Sequence, residues 1–385
     1  FLYSMTAFRF SNIWFALPVL IFALFPSKIT TADKTGDEVV WQGISAFYNE
    51  DYNKAVEVLT QARDDFPEHP TVHLVWAVSL WLRSQAQDGF EVAHTVLEKS
   101  SAEIIPVYKG LLKKYPHDPV YKLNMATTQG LLARVALGKK DWLGVVSSGL
   151  KGYQGARAVH RSHPEIYDTY LPLGVLNYYV GRSSSVVQVL GKFFGMEANS
   201  EIGLQQINLA VEKGEYARVE AASILAYIYL WIQDDPQIAL IYCDKLRSEF
   251  PKSAYYHHIY TEALLQLKRL DEAEKSLAFT QKMADDNLPA SKKAWQPTLK
   301  YQRALLNFHR GNIDEALKLT TASINEFNTE LDTPLGYGYL LRGMIYDLKG
   351  ERRKAVANYR AAVKLENYTA AVTKAKRFLK EPYQR

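Results

Sequence analysis

One local signature returns along this chain and constrains its fold more than any other feature. It reads Asp51-Tyr-Asn-Lys-Ala55, Leu270-Asp-Glu-Ala273, Gly311-Asn-Ile-Asp-Glu-Ala316 and Gly350-Glu-Arg-Arg-Lys-Ala355, with Asp235-Pro-Gln-Ile-Ala239 as a looser copy. Each copy sits in a break between two stretches of helical periodicity, and its alanine falls early in the second stretch. Alanine suits the point where two helices of a hairpin cross closely, because a larger side chain would hold them apart. Ala239 and Ala273 are 34 residues apart, Ala273 and Ala316 are 43, and Ala316 and Ala355 are 39. Self-similarity at such a period, within roughly 20–50 residues, marks a stacked array of one repeated unit. No strand-like alternation of any length follows residue 33.

The shortest of these spacings is the period of the tetratricopeptide repeat. Its consensus positions recur in register. Residues 336–367 carry Tyr339, Gly343, Tyr346, Ala355, Tyr359 and Ala362; residues 36–67 carry Gly43, Ala55, Leu59, Ala62 and Pro67; residues 220–251 carry Leu230, Ala239 and Pro251. On these positions the chain resembles the tetratricopeptide-repeat (TPR) proteins over most of residues 36–367. The resemblance implies an all-α fold, a right-handed superhelical TPR solenoid with a concave groove. About eight helix pairs are predicted, at 37–66, 71–115, 119–162, 165–213, 217–250, 253–285, 295–328 and 335–366, with a C-terminal capping helix near 368–380. Pro67, Pro116, Pro164 and Pro251 each close a pair, where proline cannot continue a helix. No pair buries its apolar face alone, so residues 33–385 are expected to form one elongated TPR-like α-solenoid.

An irregular middle segment, 71–215, fits the repeat poorly. Gly144, Gly149, Gly152 and Gly155 fall on one side of a helix, which points to a close helix crossing. After Gly181 about 20 residues intervene before the second helix of that pair resumes near Ile202. This apolar insert, 182–200, carries Val186, Val187, Val189, Leu190, Phe193, Phe194 and Met196. It either plugs a gap in the superhelix or faces the groove, a partner or a membrane surface. The Trp/Gly-rich helix, the Tyr-Tyr helix and the insert together resemble a set of exported bacterial TPR proteins of unassigned role. A weaker likeness is to the eukaryotic inclusion-body-clearance repeat family. Neither likeness brings catalytic residues with it.

Residues 1–32 contain no Asp or Glu, and Met5 reads as the start. The apolar run Ile13 to Phe25 spans 13 residues, short of the ~20 needed to cross a bilayer but matched to the core of a signal peptide. Thr30 and Ala32 supply small residues at −3 and −1, so cleavage before Asp33 and export to the periplasm or cell envelope are expected.

Signatures of chemistry are few in this chain. One cysteine excludes an intramolecular disulfide and any multi-cysteine metal site, and Cys243 falls in a packing slot of the repeat. His69/His73 and His160/His163 have helix-face spacing, yet no HExxH or third ligand accompanies them. No phosphate loop, nucleophile elbow, dinucleotide or kinase signature occurs. No catalytic residue, cofactor or metal is therefore expected, and the chain is not expected to be an enzyme.

The resemblance implies that the first helix of each pair lines the groove. That register puts Ile228, Trp231, Tyr255, His258, Tyr301, Phe308, Tyr337 and Met344 there as an aromatic peptide-binding stripe. Residues 349–385 hold 11 Lys/Arg against 3 acids. Lys374, Lys376, Arg377 and Lys380 form a basic tail surface, either a solvated cap or a contact with an anionic envelope surface. The expected function is a non-catalytic envelope scaffold that binds a protein or peptide segment in the concave groove. Its rivals are a cytoplasmic helical-repeat nucleic-acid binder that uses the basic C-terminus, and an enzyme hidden in the middle segment. The overall charge is only +5, and export would keep the protein from RNA, so no nucleic-acid partner is expected.

Overall fold

The computed structural model describes residues 35–385, so the expected export segment 1–32 lies outside the described residues. Among the described residues there are eighteen α-helices and no strand. They form two compact units, residues 35–225 with 248–253, and residues 226–247 with 254–385. The first unit contains α1 (Asp37–Tyr48), α2 (Tyr52–Asp65), α3 (Val72–Asp88), α4 (Phe90–Lys114), α5 (Pro119–Gly138), α6 (Trp142–Ser162), α7 (Tyr170–Gly181), α8 (Ser185–Phe193) and α9 (Ser200–Lys213). Helices α10 (Ala217–Tyr227) and α11 (Pro236–Glu249) are divided between the units. The second unit adds α12 (Ala254–Gln266), α13 (Leu270–Asp285), α14 (Pro289–Arg310), α15 (Ile313–Asn325), α16 (Thr333–Leu348), α17 (Arg352–Lys364) and α18 (Ala370–Lys380).

All eight expected pairs are present, and α18 is the expected last helix. Six hairpins close on one turn geometry. A single residue adopts positive φ: Glu50 (61°), Lys140 (58°), Asp234 (60°), Lys268 (58°), Gly311 (88°) and Gly350 (74°). In five of these turns the next residue donates its N–H to a carbonyl five positions back. The pairs are Asp51 to Ala46 (2.9 Å), Asp141 to Ala136 (2.8 Å), Arg269 to Leu264 (2.9 Å), Asn312 to Asn307 (2.9 Å) and Glu351 to Tyr346 (2.8 Å). That is the C-cap closure that satisfies the last carbonyls of the first helix. Asp51, Asp141 and Asp235 then cap the second helix by accepting from the N–H of Lys54, Gly144 and Ile238. Five residues after each left-handed residue stand Ala55, Val145, Ala239, Ala273, Ala316 and Ala355, all fully buried. The signature of the sequence is thus a backbone reversal followed by a close helix crossing.

The consensus glycines serve the same packing. A Cβ on Gly343 would lie 2.4 Å from the Tyr359 ring, and one on Gly43 2.4 Å from Leu59. The α5–α6 crossing is as tight: a Cβ on Gly155 would meet Ala126 at 2.6 Å and one on Gly152 the Ala126 carbonyl at 3.0 Å. One boundary differs from expectation. Helix α14 starts at Pro289, six residues before Trp295, and carries Pro297 inside it. Proline leaves the carbonyl four residues back without its helical donor, and Asn328 Nδ2 donates to that carbonyl, Lys293 O, at 3.2 Å.

The fourth hairpin pairs α7 with α9 and loops α8 out between them. Gly203 approaches α7 so closely that a Cβ would sit 2.4 Å from Tyr178 N. Gly174 meets Gly203 O in the same way, at 2.8 Å. The insertion therefore leaves the repeat contact intact.

Two outcomes follow. Ala316→Trp or Ala355→Trp should lower stability by more than the ~1–3 kcal/mol of a modest overpacking, measured as a fall in the denaturation midpoint. An unchanged midpoint would place these alanines on the surface. Lys268→Gly should raise stability by about 1 kcal/mol, since an exposed L-residue at positive φ carries roughly that strain and glycine does not.

Candidate functional site

The aromatic stripe is the place to look for a site, and it is mostly interior. Ile228 (0%), Trp231 (7%), His258 (6%), Tyr301 (4%), Phe308 (2%) and Tyr337 (6%) are buried, whereas Tyr255 and Met344 are half-buried. The physical reason is closure of the inner helices on one another. Residues 228–232 form a π-turn that continues α10. Its Trp231 ring stacks on His258 of α12 at 6.1 Å, and His258 meets Trp295 of α14 edge-on at 5.3 Å. Tyr337 of α16 packs against Tyr301 at 6.5 Å and donates its hydroxyl to Trp231 O at 3.2 Å. Tyr227 and Thr333 share a 2.6 Å hydroxyl contact. Six of the eight expected groove positions are therefore buried, and of these Trp231, His258, Tyr301 and Tyr337 pack between inner helices, whereas Phe308 packs against Tyr383 near the C-terminus.

A polar cluster is enclosed in this layer. The Glu262 carboxylate is fully buried and accepts from Gln266 Nε2 (3.1 Å) and Gln302 Nε2 (3.1 Å), with the Tyr301 hydroxyl also bonded to it. Gln302 Nε2 also donates to His258 O at 3.0 Å. Burial raises the Glu262 carboxyl above its ordinary range, and the hydrogen bonds oppose that rise. Burial likewise lowers His258 to about 4, against a hydrogen bond with Gln302, so the ring is neutral at pH 7. Glu262 stands four residues after His258, one turn along the same helix face. That spacing could have revealed it in the sequence.

The remaining candidates are structural. His69 Nε2 contacts Asp37 Oδ1 at 2.7 Å, and His73 Nε2 lies 2.8 Å from Pro67 O while Arg63 donates to its Nδ1. His160 contacts Thr169 Oγ1 at 3.1 Å, and His163 contacts Ser162. Among the described residues no group of three His, Cys, Asp or Glu could hold a metal ion. Cys243 is buried, and desolvation pushes its thiol up. In the basic tail Lys374 pairs with Asp234 at 2.5 Å, whereas Lys376, Arg377 and Lys380 are exposed. Arg352 is drawn inward with Tyr359 and the Tyr383 N–H onto the buried Asp347 carboxylate.

Stacked helix hairpins of one turn geometry define a helical-repeat protein. Residues 42–119, from α1 to the start of α5, match the family model of the tetratricopeptide repeat. Among solved structures the chain is similar to a tetratricopeptide repeat protein from Parabacteroides merdae, with 14% identity, 90% of this chain and 98% of that chain covered, and a TM-score of 0.30. It is also similar to the TPR domain of P58(IPK), at 12% identity, 91% and 100% coverage and a TM-score of 0.23. For yeast Tom70 the figures are 12%, 89%, 95% and 0.24. No curated protein matches the chain.

The buried carboxyl gives a pH test. A raised folded-state value means that Glu262 stabilises the fold while protonated, and that this stability is lost as pH rises through it. Glu262→Gln removes the charge, and rotation of the Gln266 amide, whose Oε1 makes no hydrogen bond, supplies an acceptor for the new NH2. The variant should show a higher denaturation midpoint than wild type at pH 8, with the gap closing by pH 4. A lower midpoint at pH 8 would mean that the carboxylate is held ionised by its three donors.

Proposed function

We propose that this protein is a non-catalytic scaffold of the bacterial cell envelope that holds a protein or peptide segment. The observation that carries the proposal is the repeat itself. Six hairpins close on one turn, residues 42–119 match the tetratricopeptide repeat, and arrays of that kind commonly bind protein partners. The docking mode is an extended or helical peptide laid against the concave side of the repeats, anchored on the two stripe residues that are not fully buried, Tyr255 and Met344. The buried remainder of the stripe acts as the rigid floor that sets their positions. Export rests on residues 1–32, whose composition suits a signal peptide. Nucleic-acid binding is disfavoured by the expected export and by the small overall charge of +5.

The test is crosslinked recovery of partners from native envelopes. Aromatic anchors commonly contribute ~2 kcal/mol or more on truncation, whereas exposed charges are individually weak and screened. Tyr255→Ala with Met344→Ala should abolish recovery at any salt while the variant keeps its circular dichroism spectrum. Neutralising Lys376, Arg377 and Lys380 should weaken recovery only at low ionic strength. Loss of the partner from the tail variant in physiological salt, with the groove variant unaffected, would make the protein an electrostatic surface binder instead.

A further inference from the structure

We propose that α8 is a membrane-surface docking helix that lays Val186, Val189, Leu190 and Phe193 into an anionic lipid interface. The proposal rests on the geometry of α8 and is independent of the scaffold reading. These four residues are 52%, 66%, 47% and 82% exposed. They stand at i, i+3, i+4 and i+7, so they form one apolar stripe about 100° wide on a nine-residue helix. Nothing among the described residues covers that stripe.

The opposite face is fastened. Gly191 is the one buried residue of α8, and a Cβ there would lie 2.6 Å from Val180. Gln188 Nε2 donates to Gly181 O (3.0 Å) and Ser183 O (2.9 Å). Beyond the helix, Tyr153 donates to Gly195 O at 3.0 Å and Asn177 Oδ1 accepts from Glu197 N at 2.9 Å. The stripe therefore faces outward because its backing is held at both ends.

Charge selects the occupant. Between residues 169 and 196 the only charged side chains are Arg182 and Lys192. Helix α6, which carries Tyr153, also carries Lys151, Arg157 and Arg161 and no acid, and Arg157 reaches Gly195 at the end of the insert. Lys192 flanks the apolar stripe, where its stem can lie along the interface with its ammonium among headgroups. The nearest acid in the chain is Glu197, past the helix. A protein partner fits less well. A stable interface takes about 800 Å² from each side, with pockets around its anchors. Four side chains on one short projecting helix supply far less. A lipid interface accepts projecting apolar groups without matching shape, and shallow insertion joined to basic flanks gives reversible binding.

The experiment uses the full chain with Phe193→Cys, labelled with an environment-sensitive fluorophore. Cys243 is buried, so the label goes to position 193. Vesicles of phosphatidylcholine mixed with phosphatidylglycerol should shift the emission to the blue, and pure phosphatidylcholine should do so several-fold more weakly. Adding Lys192→Glu should weaken the apparent affinity roughly tenfold. Because the label reads its own position, vesicle binding through another apolar segment would leave it unshifted, and that result overturns the proposal. Equal shifts on both vesicle types overturn the anionic preference. Emission already blue in buffer also overturns the proposal: concentration dependence would identify a second copy of the chain as the cover, and its absence would identify the chain's own residues 1–34.

Discussion

The rest of the structure depends on how closely two helices of a hairpin cross just after they reverse. The reversal needs one residue in the left-handed region, and the crossing needs a small side chain five residues later. The residue at the first position varies (Glu50, Lys140, Asp234, Lys268, Gly311, Gly350), and only two of the six are glycine. What recurs is the hydrogen bond that follows, from the next N–H to a carbonyl five back in five of the turns and six back, Asp235 to Tyr229, in the other. The strain of an L-residue at positive φ, about 1 kcal/mol, is offset by satisfying carbonyls that would otherwise end the helix unpaired. Once reversal and crossing are fixed, the two helix axes of a hairpin are fixed, and within each unit neighbouring hairpins pack on one another, as α2 on α3, α4 on α5 and α15 on α16.

That geometry determines what becomes of the aromatic stripe. In the second unit α12, α14 and α16 approach one another and the turn at 228–232, and large rings fill the space between them. Trp231, Tyr301 and Tyr337 reach each other's backbones and rings there. Their polar tips and the Glu262 carboxyl then need partners within the layer, which Gln266, Gln302 and Trp231 O provide. These bonds tie α12 to α14 through Glu262 and Gln302, and α16 to the turn at Trp231 through Tyr337.

The helix pairs were legible in the sequence because hairpin turns and crossing alanines are local signals. All eight pairs and the last helix could be placed from them. Copies that depart from alanine were harder to see. Val145 fills the crossing slot five residues after Lys140, and Ala93 follows a positive-φ Gly89 by four, so both hairpins lay in the segment that looked irregular. The start of α14 was missed because Pro297 reads as a helix boundary, and its rescue by Asn328 is a tertiary contact 35 residues distant. The burial of most of the aromatic stripe is not legible in the sequence for a different reason. Periodicity tells which face of a helix is apolar, but not whether the opposing helices stand far enough apart to leave a groove. Solvent exposure at Trp231 or Phe308 is decided by that distance, which no single helix encodes.

An insertion at a hairpin turn costs little when the flanking helices keep their contact, since closure entropy grows only slowly with loop length. Gly174 and Gly203 keep α7 and α9 together, so the 18 residues between them, from Arg182 to Asn199, are free of any duty to the repeat. In the rest of the described chain most of the large rings turn inward, and even polar groups such as Glu262 and Asp347 are buried with their partners. Against that background Phe193, with four-fifths of its surface exposed on a helix whose other face is firmly anchored, is not incomplete packing. Turning the helix about half a revolution would bury the apolar stripe, but Gly191 and Gln188 hold the opposite orientation. Leu143 and Ile241 are also exposed, but they stand on helices of the repeat itself, whereas α8 gathers four apolar side chains on a helix looped out of it, the form expected when that face meets a surface outside the molecule.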